Sequence, residues 1–182
     1  MRQRIPLLIL GLGSTLCSDD GAGIAALDRL LNTFELPEGV VALDGGTLGL
    51  SLLPYLEDAD TAILIDAVQA DAPPGSVVRL EGEAVTSAAR ERLSVHQVGV
   101  ADLLDGARWL DRSPSRVVLV GVVPATTEVG FGCSPNIQDA LRAVVAEVAD
   151  EARALGFPLR PRHSHEPVPS DDPHRGAGLL GV

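Results

Sequence analysis

Ile5-Pro6-Leu7-Leu8-Ile9-Leu10-Gly11-Leu12-Gly13-Ser14-Thr15-Leu16-Cys17-Ser18-Asp19-Asp20-Gly21-Ala22-Gly23 is the stretch that decides the fold class. Its first eight residues form a nearly continuous apolar run. A strand of that kind is covered on both faces, as in a parallel sheet, because a strand with one wet face alternates instead. Gly11 and Gly13 interrupt the run. Ser18 then stands where a helix N-cap is expected, with Asp19 and Asp20 in a first turn that the helix dipole favours. Beyond it Ile24, Leu27, Leu31 and Phe34 recur at helical spacing. Arg2 and Arg4 ahead of the run also resemble the start of a secretory signal, with Cys17 as a lipidation site. The strand reading is preferred, because Leu16 is too large for the residue before a cleavage site and a helix follows directly.

The same alternation continues along the chain. Residues 40–43 read as a second strand that ends in Asp44-Gly45-Gly46-Thr47, followed by a helix through Leu48, Leu52, Leu53 and Leu56. Residues 61–65 form a third strand bounded by Asp66. After the turn Asp71-Ala72-Pro73-Pro74-Gly75, residues 76–80 follow with no helix between, which predicts an antiparallel edge strand. A helix over 98–110 and a strand over 117–123 come next. Ser134 as N-cap and Pro135 at the first helical position open the last helix, and Gly156 and Pro158 close it. The prediction is one three-layer α/β/α domain over residues 1–157. Its sheet is mostly parallel, with about five strands and one antiparallel edge strand. Residues 158–182, rich in Pro, Arg and His, read as a disordered tail. His163, His165 and His174 in it can bind metal ions weakly, but a plain tail is the preferred reading.

The chain has 182 residues, of which 25 are acidic and 14 basic, every one of the basic residues an arginine. The net charge of -11 repels phosphate backbones and argues against a nucleic-acid partner. No apolar run is long enough to span a bilayer, so no membrane partner is expected. Two cysteines, Cys17 and Cys133, are too few for a disulfide scaffold and suit a reducing compartment. The expected location is the cytoplasm.

Ligands of open α/β sheets bind beyond the carboxyl ends of the strands. That rule selects residues 11–23, 44–47, Asp66 and 124–132, and His96 in the loop before the 98–110 helix can reach the same edge. Gly11 and Gly13 invite a dinucleotide reading with Asp44 on the ribose. Leu16 replaces the third glycine, however, and two carboxylates at the helix start would repel a phosphate. The same facts suit a cation. Asp20, Asp66 and His96 make a three-ligand set with open positions. Each also has a structural reading: Asp20 as a helix-start charge, Asp66 as a strand end, His96 as a helix cap. Cys17 beside His96 would make a thiol nucleophile, although a small buried thiol is the commoner role. Thr47 and Glu128 can line a channel or be solvated loop residues.

Five segments together resemble the [NiFe]-hydrogenase maturation proteases: Gly11-Leu12-Gly13-Ser14-Thr15-Leu16 with Asp19-Asp20-Gly21-Ala22-Gly23; Asp44-Gly45-Gly46-Thr47; Leu64-Ile65-Asp66-Ala67-Val68; Ser94-Val95-His96-Gln97-Val98-Gly99; and Val120-Gly121-Val122-Val123-Pro124 with Glu128, Gly130, Gly132, Ser134 and Pro135. They occur in family order and at family-like spacing over residues 5 to 157. Ser14 departs from the family's usual Asn, and Asp20 stands where some members have Glu. The resemblance implies an endopeptidase that removes the C-terminal extension of a hydrogenase large-subunit precursor after nickel insertion. It implies that Asp20, Asp66 and His96 are both the catalytic residues and the ligands that meet nickel, and that the nickel arrives with the precursor. No nucleotide cofactor is implied. A non-enzymatic partner that checks the precursor for nickel would use the same three residues.

Overall fold

The computed structural model describes residues 4–90 and 98–162. The chain runs β1 (Ile5–Leu12), α1 (Ala22–Thr33), β2 (Phe34–Glu35), β3 (Val40–Gly46), α2 (Leu53–Asp58), β4 (Ala59–Ala67), β5 (Val77–Glu81), α3 (Glu83–Arg90), α4 (Val98–Trp109), β6 (Arg116–Val122), α5 (Pro135–Ala154) and β7 (Arg160–Pro161). Five strands form one sheet in the order β3-β1-β4-β6-β5. All neighbours are parallel except β5, which lies antiparallel on β6 at the edge. The sheet therefore has the expected architecture.

Strand β1 shows why the sheet is covered on both sides. Leu7 and Ile9 face α1 and α5, and Leu8, Leu10 and Leu12 face the layer of α2, α3 and α4. Leu7, Leu8, Ile9 and Leu10 are completely buried. Each such side chain contributes about 1.5–3 kcal/mol on transfer from water. An exposed ion pair contributes about 0–1 kcal/mol, so packing rather than charge holds the strand in place.

Edge strand β5 has a second anchor. Arg79 places Nε 2.7 Å and Nη2 3.1 Å from the two carboxylate oxygens of Glu151 on α5, and Arg116 reaches the same carboxylate at 3.2 Å. Glu151 is buried. The guanidinium fork lets a carboxylate sit on the inner face of α5, a place the apolar spacing reserves for hydrophobic residues.

Several local expectations are corrected. Helix α1 begins at Ala22 and not after Ser18, because Ser18–Gly21 forms a 3₁₀ turn whose first residue has φ 49° and caps nothing with its side chain. Phe34 is extended and belongs to β2, not to the α1 stripe. Residues 49–52 are a second 3₁₀ turn ahead of α2. Helix α3 lies where no element was expected. Among residues 83–89 it buries Val85, Thr86 and Ala89, too few apolar residues to stand out in the sequence. The fold also continues past 157. Arg160 and Pro161 pair antiparallel with Glu35 and Phe34, and the Arg162 guanidinium donates to the Leu31 and Phe34 carbonyls near the end of α1. The Leu31 carbonyl is one of the last four of α1, which lack a partner within the helix, so an arginine here is stabilising. The rest of the expected tail, residues 163–182, lies outside the described residues.

One close approach ties α1 to the sheet. A Cβ on Gly23 would stand 2.2 Å from the Ile65 carbonyl oxygen and 2.4 Å from that of Leu12. Both are backbone atoms, so nothing can swing aside. Gly23→Ala is expected to lower stability by about 2–3 kcal/mol. Urea unfolding should show a lower midpoint at an unchanged slope. A midpoint equal to that of the wild type would mean that α1 can lift off β1 and β4 without loss.

Candidate functional site

Four loops meet at the carboxyl ends of the parallel strands: 13–21 after β1, 47–52 after β3, 68–76 after β4 and 123–134 after β6. The first and last are locked together. The Ser18 N–H donates to the Gly130 carbonyl at 2.8 Å, the Gly130 N–H to Leu16 at 2.9 Å, and the Asp19 N–H to Thr126 at 3.2 Å.

Asp19 completes the lock. Its side chain is fully buried. One oxygen accepts the Ser134 N–H at 2.6 Å. The other accepts the Ser134 hydroxyl at 2.8 Å and the N–H groups of Ala125 and Thr126 at 2.9 and 3.2 Å. Burial pushes this carboxyl upward, but the four donors outweigh it and hold the group below the usual carboxylate range. Asp19 is thus a structural anion rather than a first-turn helix charge. Ser134 stands at the head of α5 as expected, but its hydroxyl serves Asp19 and not the helix. The sequence reading missed this role because its partners lie more than a hundred residues away.

Asp20 points elsewhere. It is 3% exposed, and one carboxylate oxygen accepts the Ser14 N–H at 2.8 Å. That donor is backbone, so Ser in place of the family's usual Asn leaves the bond intact. The backbone of Asp20 is seated on Gly13, where a Cβ would stand 1.8 Å from the Asp20 carbonyl oxygen. Gly13 has φ 118°, a value that favours glycine independently.

Asp66 lies in β4, one residue beyond the Gly11–Ile65 pairing, opposite Gly121 of β6. It is also 3% exposed. The structure therefore buries both Asp20, in the loop after β1, and Asp66, near the end of the neighbouring parallel strand β4. His96 lies outside the described residues. Among the described residues no group of three or more His, Cys, Asp or Glu side chains could hold a metal ion. Of the three expected residues, the described structure therefore shows the two carboxylates, Asp20 and Asp66.

The other candidates separate clearly. Asp44 is exposed and accepts the N–H of Gly46 at 3.0 Å, a local turn. The N–H groups of residues 18–20 are all taken by protein carbonyls, so this loop offers a pyrophosphate no cradle of bare donors. Thr47 and Glu128 are exposed. Both cysteines are free thiols and half-buried. Burial, and then the charge of Asp19, push the Cys133 thiol up, which disfavours its thiolate. No helix among the described residues is long and apolar enough to cross a membrane.

Comparisons with known proteins identify the relatives of this chain. The family described as "HycI: Hydrogenase maturation protease" matches residues 24–151. The hydrogenase 2 maturation protease of Escherichia coli (strain K12) is 31% identical over 159 residues, covering 87% of this chain and 97% of that protein. Hydrogenase expression/formation protein HupD of Rhodobacter capsulatus is 36% identical over 153 residues, covering 83% of this chain and 73% of that one. The solved structure of the hydrogenase maturating endopeptidase HybD from E. coli superposes with a TM-score of 0.82 at 32% identity, over 86% of this chain and 98% of that chain.

The Asp19 lock has a defined pH signature. A carboxyl whose folded pKa is depressed binds fewer protons in the native state than in the unfolded one. Its stabilisation is present above the unfolded value of about 3.9 and is lost as pH falls through the lower folded value. Asp19→Ala strands four donors and should cost about 3 kcal/mol or more near neutral pH. The gap between wild type and variant in urea midpoint should narrow below about pH 4. A gap that stays constant down to acid would show that the Asp19 charge contributes nothing.

Proposed function

Because the chain belongs to the hydrogenase maturation protease family, and is therefore a peptidase, we propose that it removes the C-terminal extension of a [NiFe]-hydrogenase large-subunit precursor after nickel insertion. The nickel held by the precursor is the recognition element. The work is done in the cytoplasm, before any export of the matured subunit. The observation that carries this reading is the burial of Asp20, in the loop after β1, and of Asp66, near the end of the adjoining strand β4.

Asp20, Asp66 and His96 form an incomplete ligand set. Such a set binds a free ion weakly, yet it can complete the shell of an ion that cysteines of the precursor already hold. Docking in this way fixes the scissile bond against the strand ends and replaces a random encounter by a positioned one. A water between the carboxylates and the scissile carbonyl is the nucleophile. One carboxylate, Asp20 or Asp66, takes its proton as the oxygen attacks the carbonyl carbon. The same proton then passes to the amide nitrogen, the C–N bond breaks, and the extension leaves as a free amine. The precursor's cation supplies the positive charge that the oxyanion needs. In this aspartyl-type mechanism the Ser14 N–H steadies the Asp20 carboxylate.

Incubation with nickel-loaded and nickel-free precursor, followed by mass spectrometry, tests the reading. Only the loaded form should be shortened. Asp20→Asn, Asp66→Asn and His96→Ala should each slow cleavage by about 100-fold or more, and Asp20→Asn should still accept the Ser14 N–H and fold. Equal cleavage of both precursor forms, or wild-type rates in all three variants, would overturn it.

A further inference from the structure

Several large apolar side chains stand in the open at the same edge of the sheet as Asp20 and Asp66. Val129 is 91% exposed, Phe131 89% and Leu16 58%. All three lie on the two loops joined by the Ser18–Gly130 and Gly130–Leu16 hydrogen bonds. Leu48, in the loop that follows β3, is 41% exposed at the same end. Exposed apolar groups on mobile loops can fold back on the protein. Here the backbone is fastened by Asp19, so Val129 and Phe131 stay presented to solvent at the cost of ordered water. Apolar side chains clustered on a rigid support mark a place where something docks.

The charge of this edge narrows the occupant. Residues 13–21, 44–49, 66–76 and 123–134 contain Asp19, Asp20, Asp44, Asp66, Asp71 and Glu128, and no arginine. At the opposite end of the sheet Arg4 pairs with Asp60 and Arg112 with Glu57. An acidic segment would be repelled from the loop edge, and a basic one drawn to it.

We propose that Leu16, Val129 and Phe131, with Leu48 across the edge, form a docking rim for an extended, apolar and positively charged segment at the C-terminal end of the precursor. The inference rests on the proposed function for the identity of the partner. It is independent of that reading in its residues, since none of the four belongs to the catalytic set. The rim holds the substrate in ground state and transition state alike, so it sets KM and leaves kcat alone.

The test compares wild type with Val129→Ser/Phe131→Ser, and with Trp109→Ser/Leu110→Ser as a control at the far end of α4, where both residues are also open to solvent. Circular dichroism and Tm check that each variant folds, and Leu16→Ser replaces the double variant if its Tm falls. With nickel-loaded precursor, the rim variant should raise KM about tenfold or more at an unchanged kcat, and the control should match wild type. Raising ionic strength from about 0.05 M to about 0.3 M should raise the wild-type KM several-fold. Cleavage with a wild-type KM in the rim variant overturns the rim and leaves the proteolytic reading standing. Binding of precursor that weakens about tenfold in the rim variant, in a protein that cuts neither form, overturns the proteolytic reading and leaves the rim. A salt-independent KM overturns the basic character of the segment.

Discussion

A carboxylate without water, held by four donors, governs this end of the molecule. Burying an ionised group costs several kcal/mol unless its lone pairs are satisfied. Asp19 meets that condition only with Ala125, Thr126 and Ser134 in place. These residues span the whole connection from β6 to α5. The loop after β1 therefore has one position relative to that connection, and departure from it would leave a bare charge in the interior. An apolar contact in the same place would tolerate sliding. Four directed bonds to one group do not.

That rigidity lets the neighbouring residue do something else. In a 3₁₀ turn successive side chains are spread by about a third of a revolution, so Asp19 and Asp20 face different parts of the structure. Asp19 turns toward the β6–α5 connection, and Asp20 toward Ser14 at the end of β1. Adjacent carboxylates at the head of a helix look redundant in sequence. In space the first holds the loop and the second is carried by it to the edge where Asp66 lies. Gly13 and Gly23 serve the same purpose on the backbone side, since a side chain at either would push the turn away from the strand ends.

How far the sequence reveals this depends on range. Elements made of contiguous apolar runs, such as β1 and β6, are legible because burial on both faces leaves no polar positions. The antiparallel edge is legible because the turn between β4 and β5 is too short for a crossover. Helix α3 is not legible, since its buried face consists of Val85, Thr86 and Ala89 among polar residues. Ser18 misleads because its residue type suits a cap and its backbone, with φ 49°, does not. The ends of the chain mislead in another way. Proline and arginine at 160–162 suggest disorder, yet Arg162 fills carbonyls at the end of α1 that no local pattern could assign to it. The positions of Asp20 and Asp66 at the carboxyl edge of the sheet are legible from the strands that precede them. The role of Asp19 is not, since a contact between residues 19 and 134 leaves no mark in the sequence around either.

On the proposed reading, a protease whose ligand set is incomplete is also a protease with a built-in restraint. Two charges about 4 Å apart interact by about 4 kcal/mol at an effective dielectric constant of 20, and every 1.4 kcal/mol is about a tenfold preference. A precursor that brings a divalent cation to buried carboxylates gains such an interaction more than once. One that arrives without the cation meets only negative charge. The discrimination between loaded and unloaded precursor then needs no conformational switch. It needs two buried carboxylates and loops too firmly fastened to collapse over them, and the second of these is what Asp19 provides.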